Sequence, residues 1–365
     1  MVLRNCSLHD ATRLFAGKKI VPFGLGAWYN LLQYTELGGL KDSVSFVVDN
    51  GQTTETVFFR EKSVPVYVPD VLEKEKNCIV ILTSPVYMHD MYMQLCDMKL
   101  DDSLVCYAFP FMQLVSEPER NPVLEAEITN INRPSRIPKR IHSFWFSGEE
   151  KPDSYKRCFE TWYKVCPDYE IIEWTQENYD FARHPFCKKA MELGLWAVAS
   201  DYARLDTVYR MGGIYMDMDI ELLKPLDSFL GNKAIFSFAN NVNVDLAFFA
   251  GVQGNALIKH LLSLYDNIKP PSSRKEYNKY FQPNIVARTM YDFGLNFDGS
   301  LQMIDGIAFL PKNYLMPLDV ILFSLDAKDN RTHAIHWDNY GWYYGISDAR
   351  RQKELKNKKL WEMIV

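Results

Sequence analysis

No two cysteines in this 365-residue chain stand at CxxC spacing, and the seven present make an odd number. Neither a disulfide framework nor a thiolate zinc site is indicated, and a reduced compartment, the cytoplasm, is expected. No apolar run approaches the roughly 20 residues that cross a bilayer. Residues 1–20 are polar with scattered apolar positions, unlike a signal peptide. Lys and Arg number 41 against 46 Asp and Glu, a net charge of −5 that gives no overall pull toward nucleic acid. Internal repeats and low-complexity segments are also missing. What remains is an ordinary globular composition, 47% hydrophobic and 24% charged, on a chain long enough for two domains.

Two halves with different grammar follow. Apolar runs at 19–23, 44–49, 78–84 and 104–109 alternate with helical patterns near 27–37 and 86–97, which predicts a small parallel, Rossmann-like α/β domain over 1–120. Gly24, Gly26 and Asp49 are placed as in a dinucleotide fingerprint, although Tyr29 occupies the third glycine position. A nicotinamide-binding role for this domain is one alternative reading. The proline-rich stretch around 121–136 reads as a linker. Beyond it, strands at 140–146 and 169–174 and helices at 152–165 and 195–211 predict a second α/β domain over 137–345. A basic helix at 346–365 closes the chain.

The most informative run is 212–221, GGIYMDMDIE. If it is extended, Tyr215, Asp217, Asp219 and Glu221 share one strand face. Carboxylates crowded together need a cation or donors to offset their self-energy, and hard oxygen ligands suit Mg²⁺ or Mn²⁺. A solvated edge strand is the plain alternative for an isolated Asp-x-Asp. Here, however, the preceding helix carries Ala197, Asp201, Arg204 and Val208 on one stripe. An Asp and an Arg on a buried stripe either bolt that helix to the next strand or point into a cleft.

Three ordered segments, IPKRIHSFWF at 137–146, ASDYAR at 199–204 and GGIYMDMDIE at 212–221, resemble the DXD-containing sugar transferases of glycosyltransferase family 32, including its bacterial capsular-polysaccharide members. The resemblance covers roughly 135–345. It implies a GT-A-type nucleotide-sugar transferase domain preceded by the small Rossmann-like α/β domain, and transfer with retention of configuration. It further implies that Trp145 lies against the nucleotide base and that Asp201 and Arg204 hold donor-sugar hydroxyls. Tyr215 then lies near ribose or phosphates, Asp217 contacts ribose or the metal's water shell, and Asp219 ligates Mn²⁺ or Mg²⁺. His336 is the further metal ligand, and Trp342 closes over the donor. The expected catalytic set is Asp217, Asp219, Arg204 and Asp245, the last on the sugar's other side or else a turn residue.

The expected partners are a nucleotide-sugar, with a UDP-sugar first, and a glycan or lipid-linked glycan acceptor, with no nucleic acid. The role is surface polysaccharide synthesis at the inner face of the membrane. The tail 350–365 has a basic face and an apolar end. It either docks Trp361 onto the domain or contacts an anionic membrane peripherally. A binding module without turnover is the non-enzymatic alternative. The oligomeric state is left open by the sequence.

Overall fold

The computed structural model describes residues 1–51, 54–273, 282–338 and 346–364, with the side chains of 282–285 and 346–351 left aside. The chain is α/β, built on two seven-stranded sheets. The first contains β1 (Val2–Arg4), β2 (Lys19–Phe23), β3 (Val47–Val48), β4 (Thr56–Phe59), β5 (Lys62–Tyr67), β6 (Cys78–Leu82) and β7 (Val105–Ala108), in lateral order β1-β7-β6-β2-β3-β5-β4. It is parallel apart from the β4–β5 hairpin. β6 is buried at every position, as a central parallel strand covered on both faces must be. The expected run at 44–49 shrinks to β3, and the hairpin lies outside the sequence expectation. Its strands alternate with exposed residues such as Phe58 and present no continuous apolar run.

The residues that suggested a dinucleotide site are engaged in closing this fold. Asp49 accepts from the Leu25 N–H through Oδ2 at 2.9 Å and from the Gly51 N–H through Oδ1 at 2.8 Å. Tyr29 is buried, and its hydroxyl donates to the Phe58 carbonyl at 2.9 Å.

The second sheet contains β8 (Arg140–Phe144), β9 (Glu170–Trp174), β10 (Gly213–Met216), β12 (Ala234–Asn240), β13 (Asn243–Gly251), β14 (Gln302–Ile304) and β15 (Ile307–Leu310), in order β14-β15-β12-β13-β10-β8-β9. Phe236 stacks between Phe249 and Phe309 from the flanking strands, with centroids 5.8 and 5.6 Å away. Each such ring, fully buried, contributes on the order of 1.5–3 kcal/mol. Residues 121–136 are not a slack strap. The helix Pro122–Ile128 seats Ile128 in the second core, and Asn232 Nδ2 donates to the Ile128 carbonyl at 3.1 Å.

The helix Trp196–Met211 feeds directly into β10 through two glycines with positive φ, 64° at Gly212 and 111° at Gly213. A Cβ at Gly213 would lie 2.7 Å from the Arg140 carbonyl, so the close approach of helix end to β8 needs glycine there.

One expectation is corrected at the far end of β10. The run 213–221 is not a single strand. β10 stops at Met216, residues 217–219 turn, and β11 (Ile220–Leu222) pairs antiparallel with β16 (Ala334–His336) in a separate two-stranded sheet. The turn is fixed by the Asp217 N–H on the Ala247 carbonyl at 2.8 Å and the Ile220 N–H on the Asp217 carbonyl at 3.1 Å.

The C-terminal helix, Ile346–Glu362, packs on the first half. Leu360 is buried, and Trp361 meets Phe111 edge-on at 5.0 Å. Asn357 Nδ2 donates to the Ile321 carbonyl at 2.9 Å. The apolar end of the tail is thus largely occupied by the protein itself. Among the described residues no helix is long and apolar enough to cross a membrane.

His142 in β8 is fully buried. The Trp174 indole N–H can only donate, and it donates to Nδ1 at 3.2 Å, so the ring proton sits on Nε2 and meets the Gly212 carbonyl at 2.9 Å. Burial pushes its pKa down to about 4 from 6.5. The unfolded chain therefore binds the extra proton first. His142's contribution is fully present above pH 6.5 and is lost as pH falls toward 4, by about 3 kcal/mol. Urea unfolding of His142→Gln at pH 7 and pH 4 should show a fall in stability smaller than the wild type's by about that amount.

Candidate active site

The end of β10 and the turn after it place Asp217 and Asp219 beside β16. Register pairs Ile220 with His336, and this brings His336 Nε2 to 3.3 Å from Asp219 Oδ1. One ligand atom from each of Asp217, Asp219 and His336 lies within 4.8 Å of the others. Two carboxylate oxygens and an imidazole nitrogen at that spacing fit a divalent cation of the Mg²⁺ or Mn²⁺ kind, the nitrogen tilting the set toward Mn²⁺. Glu221, expected on the same face, instead accepts from the Trp337 indole N–H at 3.0 Å.

Arg204 stands on the other side of Asp217 and is only 5% exposed. Its guanidinium meets Asp201 Oδ1 at 3.0 Å and Asp217 Oδ1 at 3.6 Å, donates to the Leu246 carbonyl at 3.1 Å, and lies 4.6 Å from the centre of the Tyr215 ring. The Tyr215 hydroxyl donates to Asp217. Arg204 therefore bolts its helix to the strands and borders the cleft as well; the two sequence alternatives are not exclusive.

Burial pushes the Asp201 carboxyl up to about 7, with Arg204 opposing the rise and Asp217 and Asp245 adding to it. Burial likewise raises Asp217 against the pull of Arg204, with Asp219 adding to the rise. At His336 burial disfavours the charge, but Asp219 first, then Asp338 and Asp245, outweighs it and lifts the pKa to about 10. A cation among these groups takes the place of that proton, since ligand nitrogen must be free to bind it.

These residues border a cavity of about 620 Å³. Trp145, just past β8, lines it with its indole N–H on the Glu149 carbonyl at 2.6 Å and its ring edge-on to Tyr155. Asp201, Arg204, Tyr215, Asp217, Asp219, Asp245 and His336 all line it too. Asp245 Oδ1 accepts from the Ala247 N–H at 2.8 Å, a strand-end role that leaves its carboxylate at the cavity edge. Trp342 lies outside the described residues. Sequence reasoning missed the lining residues Trp28, Ser84, Asn240 and Asn243. The aromatic two residues after Gly26 of Gly24-x-Gly26, and the asparagine cluster between two apolar strands, were the available signals.

Residues 152–236, which hold the helix with Asp201 and Arg204, the acidic pair and β11, match the family described as a glycosyltransferase sugar-binding region containing a DXD motif. The match spans 85 of the chain's 365 residues. The chain is similar to an uncharacterised glycosyltransferase of Acanthamoeba polyphaga mimivirus, 30% identical over 33% of this chain and 50% of the relative. It is also similar to inositol phosphoceramide mannosyltransferase 2 of Schizosaccharomyces pombe, 26% identical over 42% of this chain and 48% of the relative. The chain thus spans about half the length of these curated relatives. Among solved structures, the PaToxG glycosyltransferase overlays with a TM-score of 0.35 at 18% identity, over 47% of this chain and 76% of that one. Trp145, Asp245 and His336 lie outside the matched sugar-transferase region, and the fold brings Asp245 and His336 to the acidic pair.

Two variants probe the cluster. Asp219→Ala should weaken Mn²⁺ binding, read by equilibrium dialysis, by at least about tenfold, the scale on which even outer-sphere changes act. Arg204→Met leaves Asp201 and Asp217 without their partner and should lower unfolding free energy in urea by about 3–5 kcal/mol at neutral pH.

Proposed function

We propose that this chain is a metal-dependent, retaining glycosyltransferase that moves a hexosyl group from a nucleotide-sugar to a hydroxyl of a glycan. The convergence of Asp217, Asp219 and His336 beside Arg204, on the floor of a cavity large enough for a sugar nucleotide, carries this reading. The mixed sheet with its acidic pair at a strand end, next to a small two-stranded sheet, suits the GT-A organisation that the sequence resemblance implies.

Asp219, His336 and Asp217 would hold a divalent cation, which would supply Lewis-acid stabilisation of negative charge on the departing diphosphate. The protein's own groups do the rest. Trp145 offers a flat aromatic face to the base. Asp201, with a pKa near 7, can accept from or donate to a donor-sugar hydroxyl at neutral pH. Arg204 holds Asp201 and Asp217 in place. In the transfer the bond from the anomeric carbon to the diphosphate oxygen breaks and a bond to the acceptor oxygen forms on the same face. The acceptor's proton leaves on the diphosphate, so no protein nucleophile is required. A double displacement would use Asp245, the carboxylate at the cavity edge.

The fission-yeast relative is named a mannosyltransferase, which supports a mannosyl donor, and we add GDP-mannose to the UDP-sugars first expected. That relative's name also specifies an inositol phosphoceramide, a lipid-borne acceptor. This supports a lipid-linked acceptor here; surface polysaccharide synthesis at the inner face of the membrane is the setting we propose for it.

Thermal-shift screening with Mn²⁺ and a panel of UDP- and GDP-sugars should give one stabilising donor, with nucleoside diphosphate released on adding acceptor. Asp219→Asn should lower that release on the order of 10²–10³-fold, as expected for losing a stabiliser of transition-state charge. Stabilisation by NAD, with none by any nucleotide-sugar, would sink the transferase reading. Donor binding without release in the wild type would make the chain a binding module.

A further inference from the structure

The cavity has a wall that the sugar-transferase region does not supply. Gly26, Trp28, Thr83, Ser84, Pro85 and Val86 line it from the first half. This wall is held firmly. Trp28 meets Phe109 edge-on at 5.7 Å, and the Thr83 hydroxyl bonds to the Phe23 and Gly24 carbonyls at 2.9 and 2.7 Å. The two halves are tied beneath it by Asn241 Nδ2 on the Gln113 carbonyl at 2.7 Å, and by Arg60, 4.1 Å from the centre of the Tyr291 ring. Among the described residues no charged side chain lines the cavity from the first half; Lys353, which also lines it, comes from the C-terminal helix. The first half's wall therefore offers an aromatic ring and neutral polar groups.

Across β13, Asn243 also lines the cavity and is only 9% exposed. Among the described residues its Oδ1 has no hydrogen-bond partner and is shut off from solvent. A buried amide oxygen left unpaired is costly, and a turn of this side chain toward the cavity lets a ligand hydroxyl satisfy it. Neither Trp28 nor Asn243 has a task in the donor arrangement described above.

We propose that the first half builds the acceptor subsite, in which a neutral sugar ring of the glycan lies on Trp28 and donates a hydroxyl hydrogen bond to Asn243 Oδ1 as that amide turns toward the cavity. An aromatic face for C–H groups beside a lone amide acceptor is the chemistry of an uncharged hexose. This rests on the transferase reading and gives the first half its role: it is the acceptor wall of the same active site, not an independent cofactor domain.

Gly26 allows a test that removes no packing. Its φ is −73°, open to any residue, and a Cβ there meets no atom within 4 Å. Gly26→Phe therefore fills the proposed subsite, and Trp28→Ala empties it. The probes are methyl α-D-mannopyranoside and methyl β-D-galactopyranoside, observed by saturation-transfer NMR with Mn²⁺ and UDP or GDP present. The wild type should bind one of them. In both variants that signal should fall by about fivefold to tenfold, the scale of a lost ring contact, while nucleotide affinity changes by less than about twofold. Asn243→Ala should weaken the hexoside in the same way.

Full hexoside signal in Gly26→Phe, or no hexoside binding by the wild type, overturns the acceptor assignment. So does a loss of nucleotide affinity in step with the hexoside, because the wall would then belong to the donor. A wild type that binds neither nucleotide with Mn²⁺ defeats the transferase reading and this proposal together.

Discussion

Too many carboxylates meet where β10 ends. Asp201, Asp217, Asp219, Asp245 and Asp338 line the cavity, where Arg204, His336 and Lys353 are the basic side chains among the described residues. Withdrawing carboxylates from water is unfavourable, and the rise in the Asp201 and Asp217 pKa values is the direct expression of that cost. The rest of the second half is arranged around this surplus. A buried arginine on the Trp196–Met211 helix faces strand residues rather than solvent. A two-stranded sheet, β11 with β16, carries His336 from far along the chain to Asp219. With both in place the floor is still short of positive charge, and a divalent cation bound there would complete the balance. Stability and chemistry thus draw on the same groups, so variants in this cluster must be judged on folding and binding separately.

Much of that site was legible in the sequence, though for unequal reasons. Asp201 and Arg204 stood out because charged residues on a buried helical stripe need an explanation. Asp217 and Asp219 stood out because adjacent acids in an apolar run are costly. His336 carried no local signal. Only the family resemblance singled it out, and the β11–β16 pairing shows how it reaches the others. The turn after Met216 was hidden, since alternation along GGIYMDMDIE suits a continuous strand. The break depends on the Ala247 carbonyl, a tertiary partner that no local pattern records.

In the first half, the strands of the parallel core were visible as unbroken apolar runs. The edge hairpin β4–β5 was not, because half its side chains face water. The dinucleotide-like placement of Gly24, Gly26 and Asp49 is a property of strand–turn–helix geometry more than of a ligand. Asp49 ties down the backbone at Leu25 and Gly51, and this aims the turn at the cavity. The wall built from Trp28 and Asn243 could not be read beforehand. Trp28 is on a helix of the first half and Asn243 on β13, far apart in sequence, and only the packing between the halves brings both to one cavity.

That packing bears on a problem every sugar transferase faces. An activated anomeric carbon reacts with water as well as with an alcohol, and water is always present in excess. Selectivity requires that the face open to attack be occupied by the acceptor and otherwise offer water little to bind. A wall with an aromatic ring and no charge would offer water little and a sugar ring more, whereas the opposite, acid-rich floor would serve the cation and the diphosphate. Drawing the aromatic wall and the acidic floor from different halves lets each be tuned with little effect on the other. The core shared between the sheets, which joins Phe15 and Tyr29 of the first half to Phe236 and Phe297 of the second, keeps their spacing fixed. On this view the first half is needed for transfer in place of hydrolysis, because the donor floor alone could hold a nucleotide-sugar but could not choose what attacks it.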